Sequence, residues 1–196
     1  MRVKSRWFKP GAPRSPQENA GALAFSLWRI AQNLLKNLRR ADFEILVGPQ
    51  YFAFMAEFLI FEIQVADRLA YQAMNAESRQ QFTGTLANRV AQTLAENQND
   101  LLGLPAADCK ENFIFQLNLR AEDYAEFGYD AQGPDFTFVR YFAHTLLDLV
   151  EEKDKHWIAD QIISKEAPEV VETIARAMRN LQSIEPAPPR HSGGGE

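Results

Sequence analysis

Three acidic residues interrupt an apolar and aromatic stretch at positions 51–71, and they are the first candidates for chemistry in this sequence: Glu57, Glu62 and Asp67. The stretch is too polar to cross a bilayer and too apolar to form a surface helix. It is therefore expected to be the central helix of a helical core. The directions in which its acids point decide whether that core also holds a site.

A helical wheel separates these acids. At about 100° per residue, Glu57 falls within about 40° of three other polar residues, Gln50, Gln64 and Arg68. We interpret this narrow stripe as the side of the helix that meets water. Glu62 lies about 140° from Glu57, among apolar neighbours. An unpaired carboxylate there would cost on the order of several kcal/mol, so Glu62 should either stay protonated or meet a partner.

Two interpretations of Glu62 stay open. One is a structural ion pair or hydrogen bond to a neighbouring helix, and the other is a carboxylate that binds a ligand or metal or transfers a proton. Asp67 lies about 80° from Glu57 on the other side of the helix. Adjacent helix residues do not face each other, so Arg68 is not its partner by spacing alone. Asp67 could instead reach an Arg or Lys across a helix interface.

Aromatic residues bracket the most obvious loop, residues 128–134 with two glycines and a proline: Tyr124, Phe127, Tyr129, Phe136, Phe138, Tyr141 and Phe142. Such side chains either line a pocket or fasten the loop to the core. This region, together with Glu62, is the preferred place for a small-molecule site. The candidate ligand-binding residues are Glu62, Asp67, Tyr124, Tyr129 and Tyr141.

Metal and nucleophile chemistry have little support in the sequence. A di-iron bundle needs Glu-x-x-His on two helices, and this sequence has none. The i, i+4 pairs His144–Asp148 and His156–Asp160 are also ordinary contacts of a helix surface. Cys109 is the only cysteine, and no nucleophile elbow, phosphate loop or dinucleotide motif occurs. We therefore predict no metal site and no cofactor, and we consider enzymatic activity less expected than a binding role.

The N-terminal segment, residues 1–14, is basic and irregular, and it carries two large apolar side chains between two cations: Arg6, Trp7, Phe8 and Lys9. Residues 1–40 contain nine Lys or Arg and one acid, whereas the whole chain has a net charge of −5. The arm could dock on its own domain, on a protein partner or on a lipid headgroup layer. Nucleic-acid binding is not favoured, because the cations at 36–40 belong to a single helix end.

The elements that position these residues all read as helices. Ser15 and Glu18 form a capping-box pattern, and Asp108 with Glu111 forms another. Gly48-Pro49, Asn75 and Pro168 mark further starts. The predicted helices cover 16–41, 49–74, 76–99, 109–127, 135–150, 154–165 and 168–183. No strand-like alternation or hairpin signal persists.

The sequence therefore predicts an all-α, single-domain bundle of six or seven helices over residues 15–184. An irregular arm (1–14) precedes it and a flexible, disordered Pro/Gly-rich tail (185–196) follows. No secretory signal or membrane span is visible, so the cytoplasm is expected. The favoured function is a non-enzymatic interaction or accessory module that binds a protein partner or a second copy of itself in a dimer. The alternatives are a small-molecule or metal-binding helical enzyme using Glu62, and membrane-surface association through the arm.

Overall fold

Helices account for most of the residues that the computed structural model describes, which are residues 14–182. They are α1 (Pro16–Arg40), α2 (Pro49–Ala73), α3 (Ala76–Leu102), α4 (Ala106–Ala125), α5 (Phe136–Thr145), α6 (Lys155–Gln161) and α7 (Ala167–Gln182). Short 3₁₀ turns cover Leu147–Leu149 and Glu152–Asp154, and a π turn covers Ile162–Glu166. The predicted all-α class is confirmed. The predictions for most of the arm and for the tail concern residues 1–13 and 183–196, which lie outside the described residues.

Side-chain caps begin three helices, α1, α3 and α5. Ser15 Oγ accepts a hydrogen bond from the Glu18 backbone N–H at 3.2 Å, and Glu18 Oε2 accepts one from the Ser15 N–H at 2.9 Å. Asn75 caps α3 in the same way through the Ser78 N–H at 2.8 Å. The predicted start of α4 is wrong: the helix begins at Ala106, so Asp108 lies in its first turn, where its charge suits the helix dipole.

Helix α2 is the central element, as the apolar stretch predicted. It packs against α1, α3, α4, α5 and α7, and nearly every residue from Phe58 to Ala66 is buried. Aromatic stacking fastens it to α5, because the Phe61 and Phe142 rings lie parallel with their centroids 4.1 Å apart. None of the helices within residues 14–182 combines the length and apolarity needed to span a bilayer.

Residues 128–134 form a small antiparallel hairpin, which the sequence did not predict. Strand β1 (Tyr129–Asp130) pairs with β2 (Gly133–Pro134). Asp135 stabilises the base of the hairpin, because the Asp135 carboxylate accepts hydrogen bonds from the Gly128 N–H at 2.9 Å and from the Phe138 N–H at 2.8 Å. A Cβ on Gly128 would lie 2.8 Å from the Asp135 carboxylate, so glycine allows this close approach.

The last three segments, α6, the π turn and α7, form one continuous rod. Pro168 is the second residue of α7, so the predicted helix start at this proline is confirmed to within one residue, and the π turn continues the rod on its N-terminal side. In α geometry the proline ring would clash with the carbonyl of Ser164, four residues earlier. The turn before it is widened instead, and the Ala167 N–H bonds to the Ile162 carbonyl. Glu166 is the last residue of this wider turn, and it is buried, as are Ile162 and Ala167.

Candidate ligand-binding site

Glu62 lies in the core of α2, with 1% of its surface exposed. Neither carboxyl oxygen has a hydrogen-bond partner among the described residues, and no ion pair to Glu62 forms there. Removal from water raises the pKa of Glu62 well above its ordinary value of 4.5. The expected structural ion pair is therefore not formed within residues 14–182. Glu62 lines neither of the two cavities described below.

Asp67 does reach a cation across a helix interface. Arg79 on α3 donates to it twice, from Nε at 2.9 Å and from Nη2 at 2.5 Å, and Thr83 Oγ1 donates at 2.7 Å. The Asp67 side chain is 16% exposed and that of Arg79 36%. These contacts join α2 to α3, so the structure gives Asp67 a structural partner.

Part of the stripe interpreted as water-facing is in fact an interface with α4, because Glu57 and Arg68 contact that helix. Arg120 on α4 donates from Nη2 to Glu57 Oε1 at 2.7 Å, and Gln64 is buried. Arg68 donates from Nη2 to the Tyr124 carbonyl at 2.7 Å. A helical wheel identifies a polar face, but it does not reveal whether another polar helix covers that face. The interpretation of Glu57 as a surface residue is therefore wrong.

The predicted tyrosines divide between the core and a pocket. The Tyr141 hydroxyl donates to Asp123 and accepts from Arg120 Nη1 at 3.3 Å. Burial, helped by the bond to Asp123, raises the pKa of Tyr141 to about 12. Tyr124 is buried against Phe138, with ring centroids 4.6 Å apart, and burial raises its pKa well above 10. The Tyr124 ring therefore serves packing, and Tyr141 serves hydrogen bonding as well.

Tyr129 has a different environment. Its hydroxyl is buried and has no hydrogen-bond partner among the described residues, and burial raises the pKa of Tyr129 to about 12. Tyr129 lines a cavity of about 440 Å³ between the hairpin, α2 and α7, together with Leu69, Val171 and Arg179. We call this the hairpin pocket. A cavity thus lies at the loop where a site was predicted, and Tyr129 is the one predicted ligand-binding residue that lines it.

A second cavity, of about 350 Å³, lies between the C-terminal half of α1 and the rod formed by the π turn and α7. We call it the π-turn cavity. Glu166 lines it and is 1% exposed. Its Oε2 accepts from Asn37 Nδ2 at 3.0 Å, and its Oε1 accepts from Gln161 Nε2 at 2.8 Å. Both oxygens act as acceptors, which is the arrangement of a carboxylate.

The rim of the π-turn cavity carries the cations at the end of α1. Lys36 and Arg40 line it, whereas Arg39 turns away and donates twice to the Ile45 carbonyl, at 2.9 and 3.2 Å. Sequence reasoning treated these three cations as one cluster and did not identify Glu166 at all. The available signal was Pro168, because a proline inside a helical pattern requires a local distortion.

Other sequence candidates are not brought together. His144 and His156 are exposed, and Cys109 is buried. Within residues 14–182, no group of three or more His, Cys, Asp or Glu side chains is arranged to hold a metal ion. Residues Arg6, Trp7, Phe8 and Lys9 lie outside the described part of the chain. No family model, curated protein or solved structure gives a significant match to this chain.

Proposed function

We propose that this protein binds a small charged molecule in the π-turn cavity. The observation that carries the proposal is Glu166, a carboxylate that is 1% exposed, lines a cavity and has no cation paired with it among the described residues. Removing a carboxylate from water costs several kcal/mol, on the order of the stability of many domains, unless compensating groups surround it. A ligand that donates to Glu166 would supply that compensation.

Glu166 also has room for further donors. A carboxylate offers about four acceptor positions, and the two amide donors occupy two of them. π turns occur frequently at functional sites, because the extra residue redirects side chains from the regular helical spacing. Here that redirection places a carboxylate at the inner wall of a cavity.

The hairpin pocket is a weaker candidate for a charged ligand. Of the charged residues that line it, Glu172 is already paired with Arg176 at 2.8 Å. Asp130 accepts from the Gln132 backbone N–H at 2.7 Å, and Arg179 is exposed. No charged side chain buried to the extent of Glu166 lines that pocket.

The proposal is tested by melting-temperature measurements on the full chain with a panel of small amines, amino acids and carboxylic acids. A ligand at about 100 times its Kd adds about 2.7 kcal/mol of stability, which corresponds to roughly 5–11 °C for a protein of this size. The variants are E166Q and, as a matched control, E122Q on the exposed surface of α4. We expect at least one ligand to raise the melting temperature of the wild type and of E122Q but not of E166Q. Equal shifts in all three proteins would refute the proposal.

A second candidate function is self-association or protein binding through α4. Phe115 and Leu119 are 67% and 49% exposed and lie one helical turn apart. This apolar pair supports the interaction module favoured by the sequence. The double variant F115S/L119S tests it by sedimentation velocity: we expect an oligomer of the wild type to dissociate, and a wild type that stays monomeric would refute self-association. Membrane-surface binding by the arm stays a prediction, and co-sedimentation with anionic liposomes tests it.

A further inference from the structure

The two walls of the π-turn cavity carry opposite charges. The α1 wall presents Lys36 and Arg40, and the facing wall presents Glu166 and Glu169. On each wall the two residues are three or four positions apart, so both lie on one face of their helix. The cations therefore lie on one side of the cavity and the acids on the other.

These opposite charges do not neutralise one another. No ion pair within 4.0 Å joins any of these four side chains to another described residue. Glu166 is held by amide groups alone, and the other three side chains are exposed at the rim. The cleft thus presents two exposed cations and one exposed acid at its rim, with the buried Glu166 carboxylate at its inner wall.

Apolar side chains complete the cavity. Ile30, Leu34 and Val170 line it, and Leu34 and Val170 are buried. A ligand that carried only positive charge would meet Lys36 and Arg40, and one that carried only negative charge would meet the two acids. A molecule with both charges and a small aliphatic group satisfies all three kinds of surface.

We infer that the π-turn cavity binds a free aliphatic α-amino acid, whose ammonium group donates to Glu166 and whose carboxylate faces Lys36 and Arg40. This inference rests on the proposed function, and it adds the ligand class and its orientation. The ammonium group supplies up to three N–H donors to the acceptor positions that Asn37 and Gln161 leave open. The aliphatic side chain then contacts Leu34 and Val170.

The test compares three probes that share the leucine side chain and differ in their charged groups: L-leucine, L-leucinamide, which lacks the carboxylate, and N-acetyl-L-leucine, which lacks the ammonium group. Binding to the isotopically labelled full chain is followed by NMR titration. The protein variants are E166Q and the rim variant K36Q/R40Q, with E122Q as the control. Lys36 and Arg40 are exposed, so the rim variant should fold normally. It can therefore still test the inference if E166Q fails to fold.

We expect L-leucine to bind the wild type at least tenfold more tightly than either capped probe. E166Q should weaken L-leucine and L-leucinamide at least tenfold and should not weaken N-acetyl-L-leucine. K36Q/R40Q should weaken L-leucine and N-acetyl-L-leucine and should not weaken L-leucinamide. E122Q should match the wild type with every probe.

The inference is overturned if L-leucine does not bind, or if it binds no better than the capped probes. When L-leucine fails but another panel compound raises the melting temperature in a Glu166-dependent way, the ligand class is wrong and the proposed function stands. When no panel compound gives such a shift, both the ligand class and the proposed function are wrong.

Discussion

Replacing Glu62 with an apolar residue of similar size should stabilise this protein, and increasingly so as the pH rises. The side chain is 1% exposed and neither oxygen has a partner among the described residues. Burial raises the pKa of Glu62 well above 4.5, so the folded state keeps a proton that the unfolded chain releases above pH 4.5. Stability due to this group is therefore complete below pH 4.5 and falls as the pH rises towards the folded-state pKa.

The size of this destabilisation follows from the difference in protons bound by the folded and unfolded states. Each pH unit above 4.5 costs about 1.4 kcal/mol for as long as the folded state retains the proton. The unpaired carboxyl group adds roughly 1–3 kcal/mol at every pH. Glu62→Leu removes both costs. Glu62→Gln removes the pH-dependent cost but keeps a buried polar group.

The assay is urea unfolding of the wild type, E62L and E62Q at several pH values between 4.5 and 8. We expect the advantage of each variant over the wild type to grow as the pH rises, by at most about 1.4 kcal/mol per pH unit, with E62L more stable than E62Q throughout. Titrations of other groups cancel in these differences. A difference that does not change with pH, or an E62L variant less stable than the wild type, would refute the reasoning.

Three further predictions concern contacts within and between helices. Asp67→Ala should lower the free energy of unfolding by about 1–3 kcal/mol in urea, because it removes the half-buried partner of Arg79; an unchanged value would contradict this. Ser15→Ala should cost about 1 kcal/mol, measured as a lower melting temperature, because the reciprocal bonds with Glu18 are lost; Ser15→Asn should retain most of the stability. At pH 10, Tyr141→Phe should show the same phenolate absorbance as the wild type, because the pKa of Tyr141 is raised to about 12; a clear loss of absorbance would count against that environment.

Much of the fold could be predicted because helical spacing and capping residues are local signals. The capping box at Ser15, the cap at Asn75 and the burial of α2 all follow from residues within a few positions of each other. The hairpin was missed because its geometry depends on Asp135 and Gly128 rather than on a common turn pair.

The candidate site was harder to predict because it depends on which helix faces pack against each other in the folded chain. The wheel grouped Glu57 with Arg68 correctly, but the covering helix α4 is far away in the sequence. Glu62 was identified as the acid that packing does not explain, and it has no partner among the described residues. Glu166 was not predicted as a buried residue, because the π turn interrupts the regular α-helical spacing of apolar residues on which sequence patterns rely.

The most direct test of ligand binding through Glu166 is a paired melting-temperature measurement of the wild type and E166Q with the same panel of charged compounds. We predict that at least one compound raises the melting temperature of the wild type by several degrees and leaves E166Q unchanged. Equal shifts in both proteins for every compound, or no shift in the wild type, would contradict the account.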